Sequence, residues 1–350
     1  MLVPIKAADE ANGVGQKKMQ SSSSMKPEYD PEFTDLVIAA TGPKANPRLA
    51  QIMPSLLRHL HDFAREVDLT VAEWTAGVDL INQAGQMSDN KRNETQLLCD
   101  ILGLESLVDE ITSKLLQQPG TTLTPSAVLG PFYRASAPDL PYGGNILQLP
   151  FPIFHADSNT NGNGNGNGNG NSTTAAATPD WAQEAPKLLT HIHGRVLSAE
   201  TGEPIPGATL DVWQAAPNGL YEQQDPTQPD LNLRGKFVTR ADDGAYSLHC
   251  LRPTPYPIPF DGPSGRLLQL LDRHPYRPAH IHFVVSAPGR RTLTTQVFDA
   301  EDPYVGNDSV FATKEELCVR FNAVANEKKK TAQGQEVKWE LAYDFMLGGN

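Results

Sequence analysis

The chain has 350 residues, and 41 acidic against 29 basic side chains give a formal net charge of −12. With 39% hydrophobic and 20% charged residues it has room for one large domain or two modest ones with a real core. No apolar run reaches the roughly 18 residues of a membrane helix, which excludes a transmembrane reading. The acidic balance argues against nucleic acid as a partner, because phosphate binding draws on lysine and arginine. Cys99, Cys250 and Cys318 lie far apart with no CxxC pair, so neither a disulfide framework nor a structural zinc knot is expected. The N-terminus turns polar after a few residues, without the apolar stretch of a secretory signal, and the expected location is the cytoplasm.

Residues 1–30 carry SSSS and little apolar material, and read as a disordered tail. From Pro47, the residues Leu49, Ile52, Met53, Leu56, Leu57, Leu60, Phe63, Ala64 and Val67 fall at helical spacing and predict an amphipathic helix, with Pro54 as a candidate kink. Thr70 and Glu73 have capping-box spacing ahead of Val71, Trp74, Val78 and Ile81. A third helix is expected from about Asn90 to a stop at Gly103, and a fourth from Glu105 to Leu116.

After Gly120 the character changes to short β-type runs broken by proline and glycine: ATLDVWQ, GKFVTR, GAYSLHC, AHIHFVVSA and TLTTQVF. Many short strands at such spacing indicate an all-β sandwich or barrel. An alternating Asn-Gly tract from Asn161 to Asn171 has nothing to bury and reads as a flexible insertion. The expected organisation is a tail over 1–30, a helical domain over 31–130 and a β-sandwich over 131–350, with the insertion at 156–180.

His280 and His282 in Arg277-Pro-Ala-His-Ile-His-Phe283 project from one face of a strand, with Ile281 and Phe283 on the other. Two adjacent imidazoles are either a metal chelate or a polar pair on a wet face. His191 and His193 show the same alternation, but their face continues with Arg195 and the segment is expected at a sheet edge, so they read as a solvated pair. His59, His61, His249 and His274 read as structural or surface residues. A cupin would place a glutamate four or five residues after His282, where Ser286 and Ala287 stand. A zinc site completed by a third histidine stays open on spacing alone. Tyr221 just beyond a strand, and Tyr256 fixed between prolines, are phenols held stiffly enough to be aimed, or half-buried rings with bonded hydroxyls.

The ordered motifs Gly194-Arg-Val, Ile205-Pro-Gly-Ala, Asp211-Val-Trp-Gln, Asn218-Gly-Leu-Tyr221, Tyr256-Pro-Ile-Pro, Arg277-Pro-Ala-His-Ile-His282 and Leu293-Thr-Thr-Gln296 resemble the intradiol ring-cleavage dioxygenases. More narrowly they resemble the catechol and hydroxyquinol 1,2-dioxygenases. The likeness extends over roughly residues 33 to 320, through Arg58-His-Leu-His61, Gly85-Gln-Met87, Leu102-Gly-Leu104 and Val128-Leu-Gly-Pro-Phe-Tyr133. The tail and the Asn-Gly insertion depart from the family pattern, outside every motif.

The resemblance implies a mononuclear Fe(III) held by Tyr221, Tyr256, His280 and His282. It assigns catalytic roles to Arg277, Gln296 and Tyr221, with Arg277 stabilising charge that builds on the ring and Gln296 lying beside the ligands. A trivalent ion accounts for tyrosinate ligands at neutral pH, since it stabilises phenolates whose ordinary pKa is about 10. The expected reaction opens the ring of hydroxyquinol or catechol between its hydroxylated carbons with O2, giving maleylacetate or cis,cis-muconate-type acids. Gly-Pro-Phe-Tyr and Gly-Gln-Met lean towards hydroxyquinol. Leu80, Ile81, Gly103, Leu104, Tyr133 and Ala287 are the expected walls of the ring pocket. The resemblance also implies a homodimer through the helical domain with a lipid-lined groove. A zinc-dependent hydrolase and a non-catalytic β-sandwich binding module are the alternatives.

Overall fold

The computed structural model describes residues 30, 32–116, 120–149, 178–324 and 329–350. The expected tail and the Asn-Gly insertion, except for residues 30 and 178–180, lie outside the described residues. Two compact units divide between Ala76 and Gly77, inside a helix, so α4 and α5 below go with the sandwich.

In the first unit, α1 (Phe33–Ala39) packs on α2 (Pro47–Glu66). Phe33 stacks on His61 at 5.6 Å, and Thr34 Oγ1 lies 3.0 Å from His61 Nδ1. The α2 start is written locally: Asn46 Oδ1 accepts from the amides of Arg48 and Leu49, and Pro47 fills the first turn where no amide donor is needed. The predicted apolar stripe is present, but Leu49, Leu56, Leu60, Phe63 and Val67 are about half exposed, and α2 buries no residue. At the start of α3 (Val71–Met87) the capping box forms as expected, with the Glu73 amide donating to Thr70 Oγ1 and the Thr70 amide donating to Glu73 Oε2.

The second unit continues with α4 (Glu94–Ile101) and α5 (Leu104–Leu116), separated by Gly103 at φ +72°. Then come β1 (Gly144–Asn145), α6 (Asp180–Leu188), β2 (Leu189–Ser198), β3 (Thr209–Trp213), β4 (Arg234–Val238), β5 (Ala245–Leu251) and β6 (Tyr256–Pro257). After α7 (Pro263–Leu270) follow β7 (Tyr276–Arg277), β8 (His280–Ser286), β9 (Leu293–Asp299), β10 (Cys318–Val319), β11 (Asn322–Ala323), β12 (Trp339–Ala342) and β13 (Phe345–Leu347). Among the described residues one sheet runs β1-β5-β2-β12-β11, with β13 also paired to β2, and a second runs β10-β9-β8-β3-β4.

The two sheets enclose one core. Ile192, Val196 and Leu248 enter it from the first sheet, and Leu210, Val212, Ile281, Phe283, Val285 and Val297 from the second. Full burial of such side chains contributes about 1.5–3 kcal/mol each, before entropy is subtracted. A smaller cluster joins α3, α4 and α7 to Phe298 of β9, including Ala84, Leu97, Ile101 and Leu268. The polar link between α4 and α7 is Glu94, whose Oε1 accepts from the Ser264 amide at 3.0 Å.

The expected strands all form, within one or two residues of the runs read from sequence. Helices α1, α6 and α7 lie outside the four helices expected from the sequence. The expected sheet-edge position of His191 and His193 is wrong: β2 is flanked by β5 on one side and by β12 and β13 on the other. The second flank comes from residues about 150 positions later, which no local pattern announces.

Candidate metal centre

The period-2 alternation of β8 turns Ile281, Phe283 and Val285 into the sandwich core and leaves His280 and His282 on the opposite face, yet both histidines are buried. His282 belongs to a row across the second sheet, Arg234–Trp213–His282–Gln296, set by the β4-β3-β8-β9 register. Trp213 stacks on His282 with ring centroids 4.6 Å apart and planes 11° from parallel, which fixes the imidazole plane. Gly130, at φ +79°, covers the ring, and a Cβ there would lie 3.2 Å from His282 Cε1.

Tyr221 follows β3 through a turn at Gly219, also at φ +79°, where a Cβ would come within 2.8 Å of Tyr256 Cβ. That glycine lets the two tyrosine-bearing segments touch. Tyr256 is held by the β6–β7 ladder, directly opposite Arg277. Arg234 lies over the Tyr221 ring at 5.8 Å, and its Nε donates to buried Glu222 at 2.8 Å.

Four heteroatoms meet. Tyr221 Oη lies 3.3 Å from Tyr256 Oη and 3.1 Å from His282 Nε2, and His282 Nε2 lies 3.1 Å from His280 Nε2. His280 Nδ1 donates to the Pro278 carbonyl at 2.7 Å, so its proton is on Nδ1 and the Nε2 lone pair faces the cluster. Burial, then Tyr256, pushes the Tyr221 phenol well above its ordinary value. Burial, then Arg277, takes His280 down to about 3; burial, then His280, likewise drives His282 far below the usual imidazole range.

Arg277 completes the site. Its NH1 donates to His280 Nε2 at 3.0 Å, its NH2 to Gln296 Oε1 at 2.9 Å, and its Nε and NH2 to Asp308 at 3.1 and 3.2 Å. Burial works against the guanidinium charge, but Asp308, Tyr256 and Tyr221 together outweigh it and raise the pKa above the ordinary arginine value. Gln296 Nε2 donates to the Val128 carbonyl at 2.7 Å, tying the same network to the motif that carries Gly130.

Of the expected pocket walls, Tyr133 is brought in: it packs at 5.0 Å on Trp213 and its hydroxyl donates to Asp211 Oδ2 at 3.2 Å. Leu80 packs against the helical cluster that contains Phe298, whose ring lies 5.6 Å from His280. The others stand elsewhere. Ile81 and Leu104 are exposed, Gly103 lines a hollow of about 600 Å³ beside Phe311, and Ala287 packs on the sandwich core because odd positions of β8 point inward. His191 and His193 belong to the other sheet and take no part here. Asp308, Trp213 and Glu222 were not singled out by the sequence. Trp213 lies within a family motif, whereas Asp308 sits in a loop 31 residues from Arg277 with no local signature.

A metal suits this donor set. For bonds of about 2.0–2.2 Å, neighbouring ligand atoms lie about 2.8–3.5 Å apart, which brackets the observed spacings. Two phenols and two imidazoles, all buried and all drawn towards their neutral forms where a shift is resolved, gain a counter-charge if one hard cation takes their lone pairs.

The C-terminal half, residues 167–349, matches the family model described as Dioxygenase, and residues 46–119 match that described as Catechol dioxygenase N terminus. Catechol 1,2-dioxygenase of Candida albicans is 45% identical over 316 residues, covering 90% of this chain and 91% of that protein. Hydroxyquinol 1,2-dioxygenase of Rhizobium sp. is 38% identical, covering 89% and 93%. The solved hydroxyquinol 1,2-dioxygenase of Pseudomonas putida DLL-E4 superposes with TM-score 0.68 at 36% identity, covering 91% of this chain and 97% of the other.

Proposed function

The chain belongs to the intradiol ring-cleavage dioxygenases, a metal-dependent family, and from that premise we propose that Tyr221, Tyr256, His280 and His282 hold Fe(III) and that the enzyme opens catechol or hydroxyquinol between the hydroxylated carbons. The observation that carries this reading is the meeting of two phenolic oxygens and two imidazole Nε2 atoms within 3.1–3.3 Å of their neighbours. Two phenols argue against the zinc hydrolase alternative, since zinc sites draw on histidine, cysteine and carboxylate.

Bound there, ferric iron would act as a Lewis acid that acidifies the catechol hydroxyls and makes the ring open to attack by O2. The protein contributes the rest. Tyr221 and Tyr256, as phenolates, offer Oη atoms that can accept substrate protons. Arg277 has Nε and NH2 fixed by Asp308 and Gln296, and its remaining NH1 is bonded to the His280 lone pair that the metal would use. With that lone pair engaged as a ligand, Arg277 NH1 would be a donor available to stabilise negative charge developing on the substrate. Phe132, Trp213 and Tyr133 form an aromatic cluster with Tyr221 and Tyr256 that keeps this network dry.

The matched segments 46–119 and 167–349 support a helical N-terminal part followed by a sandwich, with the compact units dividing at 76/77 and not at the expected 130/131, and three free cysteines support a cytoplasmic setting. No helix among the described residues is long and apolar enough to cross a membrane. The exposed α2 stripe supports a homodimer through the helical region, with lipid as a second occupant of that apolar surface.

The test is spectroscopic. The purified enzyme should show a visible tyrosinate-to-iron charge-transfer band that shifts on adding catechol. Tyr221→Phe and Tyr256→Phe should each remove or displace it, and an unchanged spectrum in both refutes the ligand assignment. Relative kcat/KM for hydroxyquinol and catechol assigns the substrate.

A further inference from the structure

On the other sheet, His191 and His193 share the outer face of β2, with buried Ile192 between them facing the core. The parallel β2–β12 register sets Glu340 beside His191. Glu340 Oε1 lies 3.0 Å from His193 Nε2 and 3.7 Å from His191 Nδ1. The imidazoles stack at 4.9 Å, and His249, opposite His191 on β5, stacks on its far side at 5.0 Å. Tetrahedral zinc with bonds of about 2.0–2.1 Å separates its ligand atoms by about 3.4 Å, midway between the two spacings.

The geometry points to a second metal site, independent of the ring-opening centre, in which His191 Nδ1, His193 Nε2 and Glu340 Oε1 take one divalent, imidazole-preferring cation of the Zn²⁺ class. Ser247 Oγ, 2.8 Å from His191 Nε2, can accept its proton and so turn the Nδ1 lone pair to the metal, the supporting role that ligand histidines usually have filled. His193 and Glu340 are partly open to solvent, which leaves a position for water. An opposing group is Lys329, whose Nζ donates to both Glu340 oxygens at 2.8 and 3.0 Å and competes for the carboxylate. Bound metal would staple β2 to β12, strands about 150 residues apart in the chain.

The experiment dialyses the full-length, iron-replete enzyme against Zn²⁺ and follows zinc and iron content, the visible band and the thermal midpoint. One zinc beyond the iron is expected, with the band intact and the midpoint raised. His193→Ala and Glu340→Gln should each weaken zinc uptake by more than about the tenfold to hundredfold that losing a mere supporting group costs. Lys329→Met, which removes the competing cation, should strengthen it, and this gain cannot be mimicked by misfolding. A chain that takes up no zinc beyond its iron, or whose extra zinc survives both ligand substitutions, overturns the site.

Discussion

Asp308 grips Arg277 with both carboxylate oxygens, Oδ1 to Nε at 3.1 Å and Oδ2 to NH2 at 3.2 Å, while also accepting from the amides of Val310 and Ala312. The carboxylate therefore aims the guanidinium as well as neutralising it. Asp308→Asn should lower kcat by about tenfold to a hundredfold, with KM changed far less and iron content retained. Steady-state kinetics with metal analysis checks this, and an equal loss in iron would mean that Asp308 serves the fold alone.

Gly130→Ala tests the cover over His282. At φ +79° an alanine is strained by about 1–2 kcal/mol, and its Cβ meets the imidazole edge at 3.2 Å. The expected result is a lower thermal midpoint together with weaker iron retention. A variant with full iron and an unchanged midpoint would show that the ring shifts freely.

Asp100 is buried with its Oδ1 unpartnered, and burial, followed by neighbouring Glu105, raises its pKa from 3.8 to about 9. Raised above the unfolded value, this carboxyl keeps its proton in the native state, so its contribution is full below about pH 4 and is lost progressively as pH rises towards 9. Asp100→Asn should flatten that slope and be more stable than wild type at pH 8, by on the order of a few kcal/mol at most. Unfolding midpoints between pH 5 and 9 measure it; parallel curves would refute it.

The α2 stripe offers a test of assembly. Leu60→Glu with Phe63→Glu places two charges on a face whose residues are about half exposed in the single chain. Sedimentation should show the unaltered chain as a dimer and the double variant as a monomer with the ferric band preserved; a monomer in both would refute assembly through this face.

Much of the site could be read from sequence because strand alternation is a local property: the pattern from His280 to Phe283 dictates which side chains share a face. The stiff prolines around Tyr256 also mark an aimed side chain. What stayed hidden depends on contacts far along the chain, such as Asp308 on Arg277 and β12 beside β2. Helix α6 contains Pro186 and α7 opens with Pro263 after its N-cap Gly262, so residues that read as loop signals lie within one helix and at the start of the other. Of the expected pocket walls, Ile81 and Leu104 are exposed on their helices and Ala287 packs on the sandwich core, placements set by helix phase and by the end of β8 and not by family position.

The parallel pairing of β2 with β12 has a consequence during synthesis. Strand β2 finds β5 soon after both have been made, but its second neighbour emerges only after residues 339–347 have left the ribosome. Until then β2 presents one unpaired edge, and a chaperone or a prematurely paired neighbour has that interval in which to bind it.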